Sequence, residues 1–178
     1  MSLFLATALV GLVLILLGGL FLWNPPRLEA VLKTFPRSLP ATLVLFGAGA
    51  IWFLWIVAHL GEADFGAYRQ WLFLLFAAVG VGAFFYVPDF LAVRGLAILG
   101  LLSSRHLLDA AYMQPQASRL VFVVFVYLWI AFSLYMGAVP YRMRDFLNWL
   151  YANLLRVKLL GAFFAVYGLL LGWVAFSY

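Results

Sequence analysis

The chain has 178 residues, 68 % of them hydrophobic and 10 % charged, with no cysteine and a formal net charge of +5. A water-facing surface needs roughly a quarter or more of its positions charged, so a soluble globular protein is excluded; the lack of cysteine excludes disulfides, thiolate metal sites and thiol nucleophiles. The basic residues are scattered at segment ends rather than gathered on one face, which points to an anionic membrane surface as partner and away from nucleic acid.

Apolar blocks of about twenty residues recur along the chain, the length that crosses a bilayer's hydrocarbon as a helix. Six blocks qualify, at residues 3–23, 39–60, 70–87, 90–111, 120–139 and 159–178. The pattern predicts an all-α, polytopic integral membrane helical bundle, one transmembrane domain over residues 1–178. The first block lacks a basic leader and is too long for the core of a secretory signal, so it is expected to be a retained span.

The connection after the first span opens and closes with prolines, Pro25 and Pro26 at one end and Pro36 and Pro40 at the other, with a short surface turn expected between them. The tight Val87-Pro88-Asp89 turn makes the third and fourth spans an antiparallel hairpin. The fifth connection has helical period. Over residues 141–157, Arg142, Asp145, Asn148, Asn153 and Arg156 share one side, and Met143, Phe146, Leu147, Leu150, Leu154 and Val157 share the other. This predicts an amphipathic helix lying in the membrane interface. Trp149 projects from its polar side, toward a headgroup layer or a neighbouring subunit.

Orientation follows from where the basic residues fall. Arg27, Lys33 and Arg37 lie in the first connection and Arg142, Arg144, Arg156 and Lys158 in the fifth, against Arg69 and Arg119 in the second and fourth. The positive-inside rule then puts the odd-numbered connections in the cytoplasm of a bacterial-type plasma membrane and both termini outside. The two rich connections share a side only if an even number of spans lies between them, so the charge-bearing fourth block must cross.

Lipid tails are as apolar as leucine, so spans associate through small residues and polar contacts. In the last span Gly161, Ala165, Gly168, Gly172 and Ala175 form a small-residue stripe, expected to meet another helix of the same chain or, failing that, a second copy.

The fourth span carries Arg94, Arg105, His106 and Asp109, and an intramembrane charge is a functional-site hypothesis by default. Arg94, close to the span's start, has the alternative of snorkelling to the membrane surface. Under the predicted topology His59 and Glu62 end the second span at the same face as His106 and Asp109. Each histidine has a carboxylate three positions on, which reads first as interfacial residues pairing with nearby acids and, as the alternative, as an arrangement used in bundle metal sites.

No cofactor is predicted, and no nucleotide loop or catalytic motif is present. The expected role is a non-catalytic accessory or scaffold subunit of a larger membrane complex, through membrane protein partners or self-association. Two alternatives stand beside it. One is a small transporter or channel with the polar residues of the fourth span lining its path. The other is a metal- or haem-binding membrane protein using His59 and His106.

Overall fold

The computed structural model describes residues 1–178 and contains helices and turns but no strands. Eight α-helices follow one another: α1 (Leu3–Trp23), α2 (Leu28–Thr34), α3 (Leu39–Ala58), α4 (Arg69–Tyr86), α5 (Leu91–Ala111), α6 (Arg119–Ala138), α7 (Tyr141–Tyr151) and α8 (Leu154–Ala175). Short 3₁₀ turns occupy Phe35–Arg37, Glu62–Asp64 and Gly66–Tyr68. Apart from α2 and α7, every helix is long and apolar enough to cross a membrane, α4 being taken together with the turn before it.

Capping side chains set several of these boundaries. The Ser2 hydroxyl accepts from the Leu5 N–H at 3.2 Å, and Ser38 accepts from Ala41 at 3.4 Å with Pro40 in the first turn behind it. Asn153 accepts from the Leu155 N–H at 2.9 Å and so starts α8 at Leu154. This cap corrects the sequence expectation of one amphipathic helix to residue 157. The helix stops at Tyr151, and Arg156 and Lys158 ride on the first turns of α8. α3 likewise ends at Ala58, where His59 caps it. The imidazole Nδ1 donates to the Trp55 carbonyl at 2.8 Å while the ring lies 4.6 Å from the Trp55 ring.

The sequence reads as one membrane domain, whereas the chain divides into two compact units. The first comprises Met1–Lys33, Ser103–Phe132 and Arg144–Tyr178, and the second Thr34–Leu102 and Ser133–Met143. Three of the boundaries fall inside α5, α6 and α7, so no linker composition marks them.

In the first unit α1 packs along α8. The contact is backbone to backbone: a Cβ on Gly18 would lie 2.5 Å from the Ala165 nitrogen, and one on Gly168 would lie 2.7 Å from the Gly11 carbonyl oxygen. Gly161 faces the Gly18 oxygen and Leu22 in the same way. The partner of the small-residue stripe is therefore α1, through Gly11 and Gly18, while Gly172 looks into open space. Leu3, Ala6, Leu14, Phe122, Val126 and Leu171 form the buried core of this unit.

Polar ties close both ends of the first unit. At one end Ser177 donates to Ser118 at 3.1 Å, Thr7 donates to Tyr178 at 3.4 Å, and the Phe4 and Phe176 rings meet edge to face at 5.6 Å. Arg119 closes the adjoining turn by donating to the Ala111 carbonyl at 2.9 Å. At the other end Lys33 pairs with Glu29 at 2.6 Å and stands 6.0 Å over the Tyr151 ring. Burial first, and the Glu29 carboxylate second, push the Tyr151 phenol above its ordinary value.

On α7 Met143, Leu147 and Leu150 are buried, spaced as one helical face. Phe146, assigned to that face by the periodicity, is instead exposed and stacks on Trp149 at 6.0 Å. Arg156 reaches back across the break, donating to the Trp149 carbonyl at 2.7 Å with its guanidinium 4.6 Å above the Trp149 ring. Arg144 pairs with the neighbouring Asp145 at 2.9 Å.

Candidate functional site

The second unit contains α3, α4, the first half of α5 and the last turns of α6. α3 and α5 touch at the backbone, since a Cβ on Gly95 would collide with the Phe46 main chain and one on Gly49 would lie 3.0 Å from the Ile98 side chain. α3 and α4 meet differently. Phe46 lies edge to face against Phe84 at 5.2 Å, and Phe53 does the same against Phe76 at 5.0 Å.

These two aromatic pairs act as spacers about two helical turns apart. Apart from Val79, the residues between them that line the gap are small: Gly49 and Ala50 on α3, Gly80 and Ala83 on α4. Large side chains at both ends and little between them cannot close to the density of a packed interior. A cavity of about 590 Å³ remains, completed by Leu91, Arg94, Ala97, Ile98 and Leu101 on α5 and by Ser133, Leu134, Gly137 and Ala138 on α6. That volume lies within the ~300–1,000 Å³ range of small-molecule sites.

The cavity wall is apolar but for two side chains, Arg94 and Ser133. The Nε of Arg94 is closed off from the surface and has no hydrogen-bond partner. Neither ion pair in the molecule involves Arg94, since Lys33 takes Glu29 and Arg144 takes Asp145. Ser133 is 2 % exposed, and its hydroxyl also lacks a partner. A helical serine ordinarily donates to a carbonyl one turn back, so this uncommitted hydroxyl is an available donor and acceptor. α5 arrives here through Phe90, whose left-handed φ of 59° is unusual for a bulky residue. Its ring is buried beneath the Arg37 guanidinium, 5.0 Å away, which holds the tight turn ahead of α5.

The other residues singled out in the sequence lie elsewhere. Arg105, His106 and Asp109 are exposed on the part of α5 that belongs to the first unit, and Arg105 and Asp109 form no ion pair with each other. Glu62 is exposed in a 3₁₀ turn beyond the end of α3, so the shared helical face expected for His59 and Glu62 does not exist. No group of three or more His, Asp or Glu side chains comes together in a way that could hold a metal ion. Ser133 went unnoticed in the sequence, although a serine inside the apolar run of α6 was a legible signal. The spacer pairs were not legible, because phenylalanine is abundant throughout the chain.

No protein-family model matches this chain, and neither a curated protein nor a solved structure is similar to it.

Proposed function

We propose that this protein is a non-catalytic multi-pass membrane protein whose second unit holds a small apolar molecule, or the apolar part of a larger one, within the bilayer. The cavity of about 590 Å³ between spaced helices carries this reading. Its apolar walls suit a hydrophobic occupant and offer an inorganic ion almost no replacement for its hydration, which argues for binding over ion conduction. Purification in lipid nanodiscs followed by native mass spectrometry should show a bound hydrophobic molecule that Ala50→Phe, filling the cavity, displaces. A wild-type protein free of any bound mass would overturn the reading.

The proposed setting is a cell membrane crossed six times, with the basic connections facing anionic headgroups in the cytoplasm and both termini on the opposite side. Contacts within each unit support this. In the first unit Lys33 of the first connection meets Tyr151 of the fifth, while Ser118 of the fourth meets Ser177 at the C-terminus and Tyr178 meets Thr7 of α1. In the second, Arg37 of the first connection lies over Phe90 of the third. Cysteines introduced at positions 30 and 148 should react with an impermeant thiol reagent only in opened cells; labelling of either one in intact cells rejects this orientation.

A role as accessory subunit of a larger membrane complex is compatible with ligand holding. Its support is α4, which has no buried residue along its whole length, and the exposed Phe146–Trp149 pair.

A further inference from the structure

We infer that the cavity's occupant is a single-chain amphiphile with an anionic end, a carboxylate or phosphate, held by Arg94 while its alkyl chain lies against the apolar wall toward the Ser133 end. This rests on the proposed ligand-holding role and names the class of ligand.

The charge argument is the first step. A guanidinium in a low-dielectric wall is costly unless an anion accompanies it. The chain has six carboxylates, and none forms an ion pair with Arg94. The Nε that points away from solvent has no acceptor at all. A planar guanidinium meets carboxylate or phosphate oxygens through paired N–H donors, so an anionic ligand end supplies what the protein leaves out. Ser133 stands at the other end of the same cavity, level with Leu101, because Gly137 one turn further along α6 meets Ala97. Its hydroxyl is buried, lines the same cavity and is unsatisfied, although it sits in a helix with carbonyls in reach.

The shape argument gives the rest of the ligand. Arg94 lies one turn into α5, and the cavity continues along that helix to Leu101. Seven residues at 1.5 Å each make about 10 Å of depth beyond the charge, the reach of a medium-length alkyl chain. The walls along that path are Ala97, Ile98, Leu101, Phe53 and Phe76, and the one further polar side chain is Ser133, at the Leu101 end. A charged end and an apolar tail therefore have separate places in one site.

The test compares radiolabelled dodecanoate with dodecanol, which keeps the chain and lacks the charge, on the full-length protein in phosphatidylcholine nanodiscs. The wild type should prefer dodecanoate by about tenfold or more, the weight of a charge-assisted hydrogen bond. Arg94→Gln should erase that preference while dodecanol still binds, and Arg94→Lys should keep part of it. Retained dodecanol binding shows that the variants are folded. An undiminished preference in Arg94→Gln overturns the anion assignment and leaves the ligand-holding role standing. Binding of neither amphiphile, with Ala50→Phe indistinguishable from wild type, overturns both. Repeating the measurement with phosphatidylglycerol in the nanodisc identifies the source: competition assigns the anion to a bilayer headgroup, and its absence assigns it to a free single-chain acid.

Discussion

α1 and α8 in the first unit meet through Gly11, Gly18, Gly161 and Gly168, with main chain against main chain, whereas α3 and α4 in the second are held apart by Phe46–Phe84 and Phe53–Phe76. Both arrangements join helices long and apolar enough to cross a membrane. Their consequences differ. Glycine contacts bring van der Waals surfaces together over the full crossing and leave no room for anything else. Edge-to-face rings attract at two points only and keep the intervening small residues from touching, so space for a ligand is a product of where the rings stand.

The glycine contact is where substitution has the largest expected effect. Gly18→Leu should destabilise the first unit by about 3 kcal/mol or more, because its Cβ would meet α8 backbone that cannot yield. Gly19→Leu, one position along and facing open space, should leave thermal unfolding in detergent unchanged. The milder pair Gly168→Ala and Gly172→Ala sharpens the point. The first should lower the melting temperature, and the second should leave it level or raise it by the helix preference of alanine, about 1 kcal/mol. Equal effects of both members of either pair would show that α1 and α8 are not joined in this way.

A smaller effect is expected at the aromatic spacers. Phe53→Leu and Phe76→Leu, combined in a double-mutant cycle, should show a coupling of about 1 kcal/mol in unfolding free energy. The same changes should alter ligand capacity more than stability, since both rings line the cavity. Strict additivity of the two changes would mean that the rings do not set the distance between α3 and α4.

The small-residue stripe of α8 was legible from residue spacing, but its partner was not. Gly11 and Gly18 are seven apart on α1, a spacing visible in the sequence, yet Gly19 beside them is just as visible and faces nothing. Which glycine matters depends on how the helices are rotated, and that follows from all their contacts together. The amphipathic helix shows the same limit. Met143, Leu147 and Leu150 follow the helical period, while Phe146 departs from it because its ring finds Trp149 on the outer surface. The helix end depended on whether Asn153 would continue α7 or cap α8, a choice between two local hydrogen-bond arrangements that periodicity does not register.

The candidate site was legible by one residue. Arg94 stood out because a charge within an apolar run is expensive wherever it lies. His59 stood out for similar reasons and proved to be a helix cap bonded to Trp55. Both are polar residues near the end of an apolar segment, and only their neighbours in space distinguish a cavity wall from a cap.

The amino-acid sequence by itself determined the number and length of the apolar helices, because each apolar run of about twenty residues satisfies its own backbone hydrogen bonds as one helix. It also determined where polar residues interrupt them. Tertiary structure alone decided which glycines touch, which phenylalanines hold helices apart and that Arg94 and Ser133 line one cavity. Those outcomes depend on helix rotation and spacing, which for helices apolar all round are set by the fit of side-chain shapes rather than by one apolar face.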